Sequence, residues 1–200
     1  MRGHSSARYA GASLLLFPDR KAPSFIADAM LGSVARKLRI FGFDTLYVAD
    51  ASDDEILKIG IEQKRVILTA DRDLFRRVVK AGADGVLVES WKGDDVQDLV
   101  HILAKNGVTS VDLDGIGYRC SVCNGLLEAR TPRQVRDSLP SDRVAEIQNE
   151  FYQCTSCGKV YWEGSHLKRL RALAKSVQRK LHSTSSTTTA AAEASPAEAT

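Results

Sequence analysis

The feature that most constrains this chain is an alternation of short aliphatic runs with longer amphipathic ones between residues 24 and 107. The short runs are "SFIA" (24–27), "TLYVA" (45–49), "RVILTA" (65–70) and "GVLVE" (85–89). Between and after them lie "AMLGSVARKLRIFGF" (29–43), "DDEILKIGIEQ" (53–63), a segment over 72–81 and "DDVQDLVHILAKNG" (94–107). In the first of these, Leu31, Val34, Ala35, Leu38 and Phe41 recur at helical spacing, while Arg36, Lys37 and Arg39 take another face. Gly42 is placed to end that helix. Strands alternating with helices predict an α/β layer built on a parallel sheet. The third and fourth runs are almost wholly aliphatic, as a sheet covered on both faces requires.

That fold dictates where chemistry would sit, because ligands of an open parallel sheet gather at the carboxyl ends of its strands. Asp28 ends the first run, Asp50 the second, Asp71 and Asp73 the third and Glu89 the fourth. Asp53, Asp54 and Glu55 open the second helix at the same edge. Crowded carboxylates repel one another, and a cation between them relieves that cost. Hard oxygen donors suit Mg²⁺ or Mn²⁺. Aspartate is also a favoured helix N-cap, and capping alone would account for Asp28, Asp53 or Asp71 taken singly. Asp71 and Asp73, however, flank one helix start, which needs one cap, and Asp28 comes from another strand. The combination points to a shared metal site at Asp28, Asp71 and Asp73.

The second half carries a sharper motif. Cys120 and Cys123, then Cys154 and Cys157, are the four cysteines of the chain, two CxxC turns separated by 30 residues. Each turn can present two thiolates to one Zn²⁺, and the pair completes a tetrahedral, structural site with no open position. The long gap implies an inserted helix or loop within "TPRQVRDSLPSDRVAEIQNEF" (131–151). Disulfides are the alternative, but no secretory signal supports an oxidising compartment. Downstream, "KVYWEGSHLKRLRALAKSVQRK" (159–180) joins Tyr161 and Trp162 to a basic helix carrying Lys168, Arg169, Arg171, Lys175, Arg179 and Lys180. Those cations can bind phosphates, whereas the aromatics are expected to pack in the ribbon core.

Charge follows the same division. Residues 25–117 hold 12 basic and 16 acidic side chains, and residues 118–182 hold 12 basic and 6 acidic, so the first part suits cations and the second a polyanion. No apolar window approaches the length of a membrane span. Residues 1–23 fit either an organellar presequence or an extension without structure. Residues 183–200 are low-complexity and read as a disordered tail. The expected organisation is therefore 1–23, an α/β domain over 24–117, a ribbon with its basic helix over 118–182, and the tail.

Four blocks, "FIADAMLGSVARKLRIFGFDT" (25–45), "VILTADRDL" (66–74), "YRCSVCNGLL" (118–127) and "FYQCTSCGKVYWEGSHLKRL" (151–170), resemble the Mut-seven C-terminal RNase family in sequence and in order. The resemblance implies a PIN-like nuclease domain joined to a zinc ribbon, acting as a metal-dependent ribonuclease; a cytoplasmic location is expected, with organellar targeting by residues 1–24 as the alternative. It implies Asp28, Asp71 and Asp73 as catalytic acids; Asp54, at the start of the second helix, is taken as the further acid, with Asp53 and Glu55 as close rivals. Arg36, Arg72 and Arg76, with Lys168, Arg169 and Arg171, would hold the RNA, and a homodimer is compatible with the family. One departure stands beside the site: the family often reads TRDRDL where this chain has TADRDL, so Ala70 removes a basic side chain. Two other classes stay open. An RNA-binding adaptor would use the ribbon and basic helix and leave the acids as caps. A phospho-acceptor, receiver-like domain would want two acids at strand one, where this chain has Asp28 alone, and a late-strand lysine, for which Lys92 lies a little far on.

Overall fold

The computed structural model describes residues 22–89, 94–111, 119–139, 151–162 and 164–192. Strand β1 (Phe25–Ala27) leads through a 3₁₀ turn (Ala29–Leu31) into α1 (Gly32–Ile40). Then follow β2 (Thr45–Tyr47), α2 (Asp53–Glu62), β3 (Val66–Thr69), α3 (Arg72–Lys80), β4 (Gly85–Leu87) and α4 (Asp95–Lys105). Gly42 does end the first helix: it adopts φ 92°, open to glycine at little cost, and its amide donates back to the Arg39 carbonyl at 2.9 Å.

The strands pair in the order β2-β1-β3-β4, all parallel. β2 is shorter than its aliphatic run because its partner is short: Phe25, Ile26 and Ala27 pair with Thr45, Leu46 and Tyr47, which leaves Val48 and Ala49 no strand to join. Alternation along each strand builds two cores. Phe25, Ala27, Leu68 and Val86 face α1 and α4, where Val34, Leu38, Leu99 and Leu103 meet them. Ile26 and Ile67 point the other way, onto Ile56 of α2 and Leu74 and Val78 of α3. Helices thus cover both faces of a parallel sheet.

Beyond α4 the chain builds an antiparallel sheet, β5 (Leu127–Arg130), β6 (Phe151–Cys154) and β7 (Val160–Trp162), in that order. The insertion expected between the CxxC turns begins with α5 (Pro132–Val135) and a 3₁₀ turn (Arg136–Ser138); residues 140–150 lie outside the described residues.

The last helix, α6 (Ser165–Ala192), departs from the sequence expectation twice. Sequence places it with the ribbon, but Ala174, Val177 and Leu181 lie in the same buried cluster as Leu99 and Leu103. Gln178 Oε1 also accepts the Val111 amide at 2.6 Å. The helix returns to the α/β layer, so the ribbon is an insertion between α4 and α6. Residues 183–192, read as tail, continue the helix; once anchored, a helix adds one hydrogen bond per residue, and Ala190–Ala192 are strong helix formers. Residues 1–21, with the presequence question, are outside the described residues. No described helix is long and apolar enough to cross a membrane.

Candidate active site and metal centre

The strand order reverses direction between β1 and β3, and that switch point is where an open parallel sheet presents a crevice at its carboxyl edge. Asp28, directly after β1, caps the 3₁₀ turn that follows, and Thr69 ends β3. Asp28 is buried, with a carboxylate that accepts from Met30 N at 2.9 Å, from Ala70 N at 3.1 Å and from the Thr69 hydroxyl. Those donors fill three of the carboxylate's roughly four lone-pair positions. Thr69, fully buried, also accepts the Asp71 amide at 2.9 Å. One hydroxyl therefore ties the two strand ends together. Sequence reading missed Thr69, although its place between two aliphatic residues and the acids was a usable signal.

Thr69→Val keeps the shape but leaves the Asp28 oxygen and the Asp71 amide short of a partner, so a loss of ~1–3 kcal/mol is expected. Urea unfolding checks it, with Thr69→Ser returning most of the stability.

The other acids occupy the same rim but are not gathered. Asp71 caps α3, accepting from Asp73 N at 2.6 Å and Leu74 N at 3.2 Å. Asp73 is exposed and paired with Arg76. Asp53 and Asp54 of α2 both reach Arg77, the former at 3.4 Å. Arg72 pairs with Glu89 at 3.1 Å, and Arg36 lies exposed on α1 with its Nε–H donated to the Gly32 carbonyl. Glu55 is committed elsewhere: it forms a capping box with Ser52, whose backbone and hydroxyl hydrogen bonds hold its carboxyl below the ordinary value. Ser52, not Asp53, caps that helix.

Among the described residues, the only group of three or more potential ligands whose donor atoms converge is Cys120, Cys123, Cys154 and Cys157. All four sulfurs lie within 4.8 Å of one another, with Cys120 to Cys157 at 3.6 Å and Cys123 to Cys154 at 3.4 Å. A tetrahedral Zn²⁺ with bonds of about 2.3 Å separates its sulfurs by roughly 3.8 Å, so the set fits one ion. Both CxxC turns close alike. Asn124 (φ 68°) and Gly158 (φ 73°) take the left-handed conformation and donate their amides back to the Cys120 and Cys154 carbonyls. The Ser156 amide, at 3.4 Å, also points at the Cys154 sulfur, the kind of contact that orients a metal ligand.

Burial works against the Cys120 thiolate, but the Tyr161 hydroxyl at 3.0 Å and the backbone of Cys123 and Val122 outweigh it and bring the thiol down to about 6. Burial and the neighbouring sulfurs push Cys123 up to about 12. Four thiols this close need a cation to ionise together. Tyr161 packs inward as expected, whereas Trp162 is exposed at the edge of β7. On α6, Lys168 and Arg169 are exposed and Arg171 is half-buried; the side chain of His166 lies outside the described residues.

The ribbon meets the α/β layer through a polar seam that the sequence did not reveal. Arg39, placed by periodicity with the solvent-facing Arg36, is 4 % exposed. Its guanidinium donates to the Thr45 carbonyl (2.8 Å) and to the Ser121 and Val122 carbonyls of the first CxxC turn (3.2 and 2.9 Å). Asn124 Oδ1 accepts the Thr45 amide at 3.1 Å, and its Nδ2 donates to Asp44 at 2.7 Å. Asp44 completes a two-pronged pair with Arg65 at 2.9 and 3.2 Å. Burial would raise the Asp44 carboxyl, but hydrogen bonds from Arg65 and Asn124 and the nearby Arg119 charge hold it below the usual value.

A depressed folded-state value makes ionised Asp44 stabilising above the unfolded carboxyl pKa, with that stability lost as pH falls through the folded value. Asp44→Asn is therefore expected to be less stable than the parent at pH 7, with the gap closing below about pH 4. Denaturant titrations across that range measure it.

Residues 23–174 match the family described as the Mut7-C RNAse domain, and the chain belongs to that family. The match takes in the sheet, the ribbon and the start of α6 as one unit. Comparisons with curated proteins and with solved structures gave no match.

Proposed function

We propose that the protein is a metal-dependent ribonuclease that hydrolyses RNA phosphodiester bonds at the carboxyl rim of its parallel sheet. The observation that carries this reading is the Asp28–Thr69–Asp71 chain of hydrogen bonds at the switch point. The Asp28 carboxylate and the Asp71 main-chain amide, just beyond the two central strands, meet on one buried hydroxyl, which sets both acids at the switch point. Asp28, Asp71 and Asp73 are the rim acids we assign to Mg²⁺ or Mn²⁺, an ion that would polarise phosphate and activate water. To reach it, Asp71 and Asp73 would have to leave the cap and the Arg76 pair that hold them here. With Glu55 committed to its cap, Asp54 or Asp53 is the second-helix acid nearest to hand.

The protein's own side chains supply the rest. Asp28 is fixed by three donors and cannot swing. Arg72, Arg76 and Arg77 come from one helix at the rim and each pairs with a rim acid. They are the groups an RNA backbone would meet first, and Lys168 and Arg169 are a separate exposed basic pair on α6. Ala70, where the family often has arginine, packs half-buried and uses its amide on Asp28, so a phosphate contact there falls to neighbouring arginines. On the cysteines we assign one structural Zn²⁺.

Purified protein should cut mixed cellular RNA with Mn²⁺ or Mg²⁺ and not with EDTA. Asp73→Ala should slow that cutting by ~10²-fold or more if the residue ligates the ion; unchanged cleavage would remove Asp73 from the site. The adaptor reading is favoured by one observation, the ion pairs and caps that already occupy the exposed acids. It predicts salt-sensitive RNA binding with the RNA left whole in every lane.

A further inference from the structure

The seam between the first CxxC turn and the α/β layer has a shape that interface packing does not explain. Arg39 is a charged side chain buried against three carbonyl oxygens, and among the described residues no carboxylate forms a salt bridge with it. A buried cation is costly without negative potential nearby. Two of its carbonyls, Ser121 and Val122, are the residues enclosed by Cys120 and Cys123. Four thiolates around one Zn²⁺ leave a net charge of about −2, and such centres are stabilised by donors and positive charge around the sulfurs. The neighbouring Asn124 is held in the left-handed conformation, and both ends of its side chain are spent on the junction between α1 and β2, on Thr45 and Asp44.

We infer that metal bound at the cysteines braces the nuclease layer itself, with Arg39 and Asn124 carrying the coupling from the CxxC turn to α1 and the start of β2. This rests on the zinc assignment above and not on the ribonuclease activity. The brace works because the loops meet at the amino end of the sheet. Phe25 N donates to the Asp44 carbonyl at 2.7 Å, and Arg65 joins Phe25 and Asp44. Order in the turn at 41–45 therefore sets the seat of both β1 and β3. Loss of the metal frees the CxxC turn, removes two of the three acceptors of Arg39 and strands a buried charge. Asn124 then no longer fixes Thr45. The acidic rim sits at the other end of the same short strands.

The test is hydrogen exchange on the full chain, with metal content measured in parallel, before and after a strong zinc chelator. In the parent protein, chelation should raise exchange at the amides of residues 39–47 at least about tenfold. Arg39→Met keeps the aliphatic stem and removes the fork. Asn124→Gly keeps the backbone conformation and removes the side chain. Either variant, still holding one metal ion, should already exchange fast at 39–47, and chelation should add little. Two variants with independent folding risks keep the question open to an answer. Metal present, with exchange after chelation raised only within 119–162, overturns the brace and leaves the zinc assignment standing. A protein that takes up no metal on its cysteines overturns both.

Discussion

Asp28→Asn combined with Asp71→Asn should abolish Mn²⁺-dependent RNA cleavage, by ~10³-fold or more, while the fold survives. The substitutions are nearly isosteric, and the expected loss is large for an electrostatic reason. Asparagine's single oxygen can still accept from Ala70 N and the Thr69 hydroxyl, but its Nδ2 then faces Met30 N, so two of the three hydrogen bonds at the strand end persist and one is lost. Likewise Asp71→Asn keeps a competent N-cap for the Asp73 and Leu74 amides. What disappears is two negative charges at the switch point. Either role predicts a stability loss of ~1–3 kcal/mol from the acceptor removed at buried Asp28. A capping role leaves cutting unchanged, whereas a ligand role abolishes it in protein that is still folded. Measuring both on one preparation separates the readings, and a double mutant that still cuts RNA would place the chemistry elsewhere.

The second large effect concerns the cysteines. Cys154→Ser should leave the antiparallel sheet unable to hold its metal and lower stability by several kcal/mol, since binding energy at such a site is folding energy. Cys154 is the most informative choice because it sits in β6, paired with Leu127, and stays buried while accepting the Ser156 and Cys157 amides. Serine there is a weak ligand in a pocket shaped for sulfur. The expected readout is loss of bound zinc together with a single, earlier unfolding transition for the whole chain. Two separated transitions, with the α/β layer melting as in the parent, would show that the two parts stand independently.

Much of this was legible in residue order. The strand–helix alternation carries its own period, and aliphatic runs such as "RVILTA" commit to a two-sided sheet whatever surrounds them. The cysteines announced their site because two CxxC turns have few other uses. The features that escaped depend on tertiary placement. Arg39 shares a helix with Arg36 and looks equally exposed, yet the ribbon folds down on it. The Ala174, Val177 and Leu181 stripe was visible as a pattern, but the lysines and arginines around it drew the helix toward nucleic acid and away from the core. Thr69 reads as one more β-branched strand residue until β1 is seen beside β3. The acids do lie along one edge; their partners, caps for some and arginines for others, could not be read from spacing.

The insertion of the ribbon between α4 and α6 also has a consequence for how the chain is made. A ribosome releases the sheet and its first helices well before α6, so the face carrying Leu99, Ile102 and Leu103 emerges without Ala174, Val177 and Leu181 to cover it. Closure of the core must wait for nearly the whole chain, and by then both CxxC turns have been synthesised. A fragment ending at residue 117 would keep that sticky face permanently. Anyone expressing the α/β layer alone should expect aggregates.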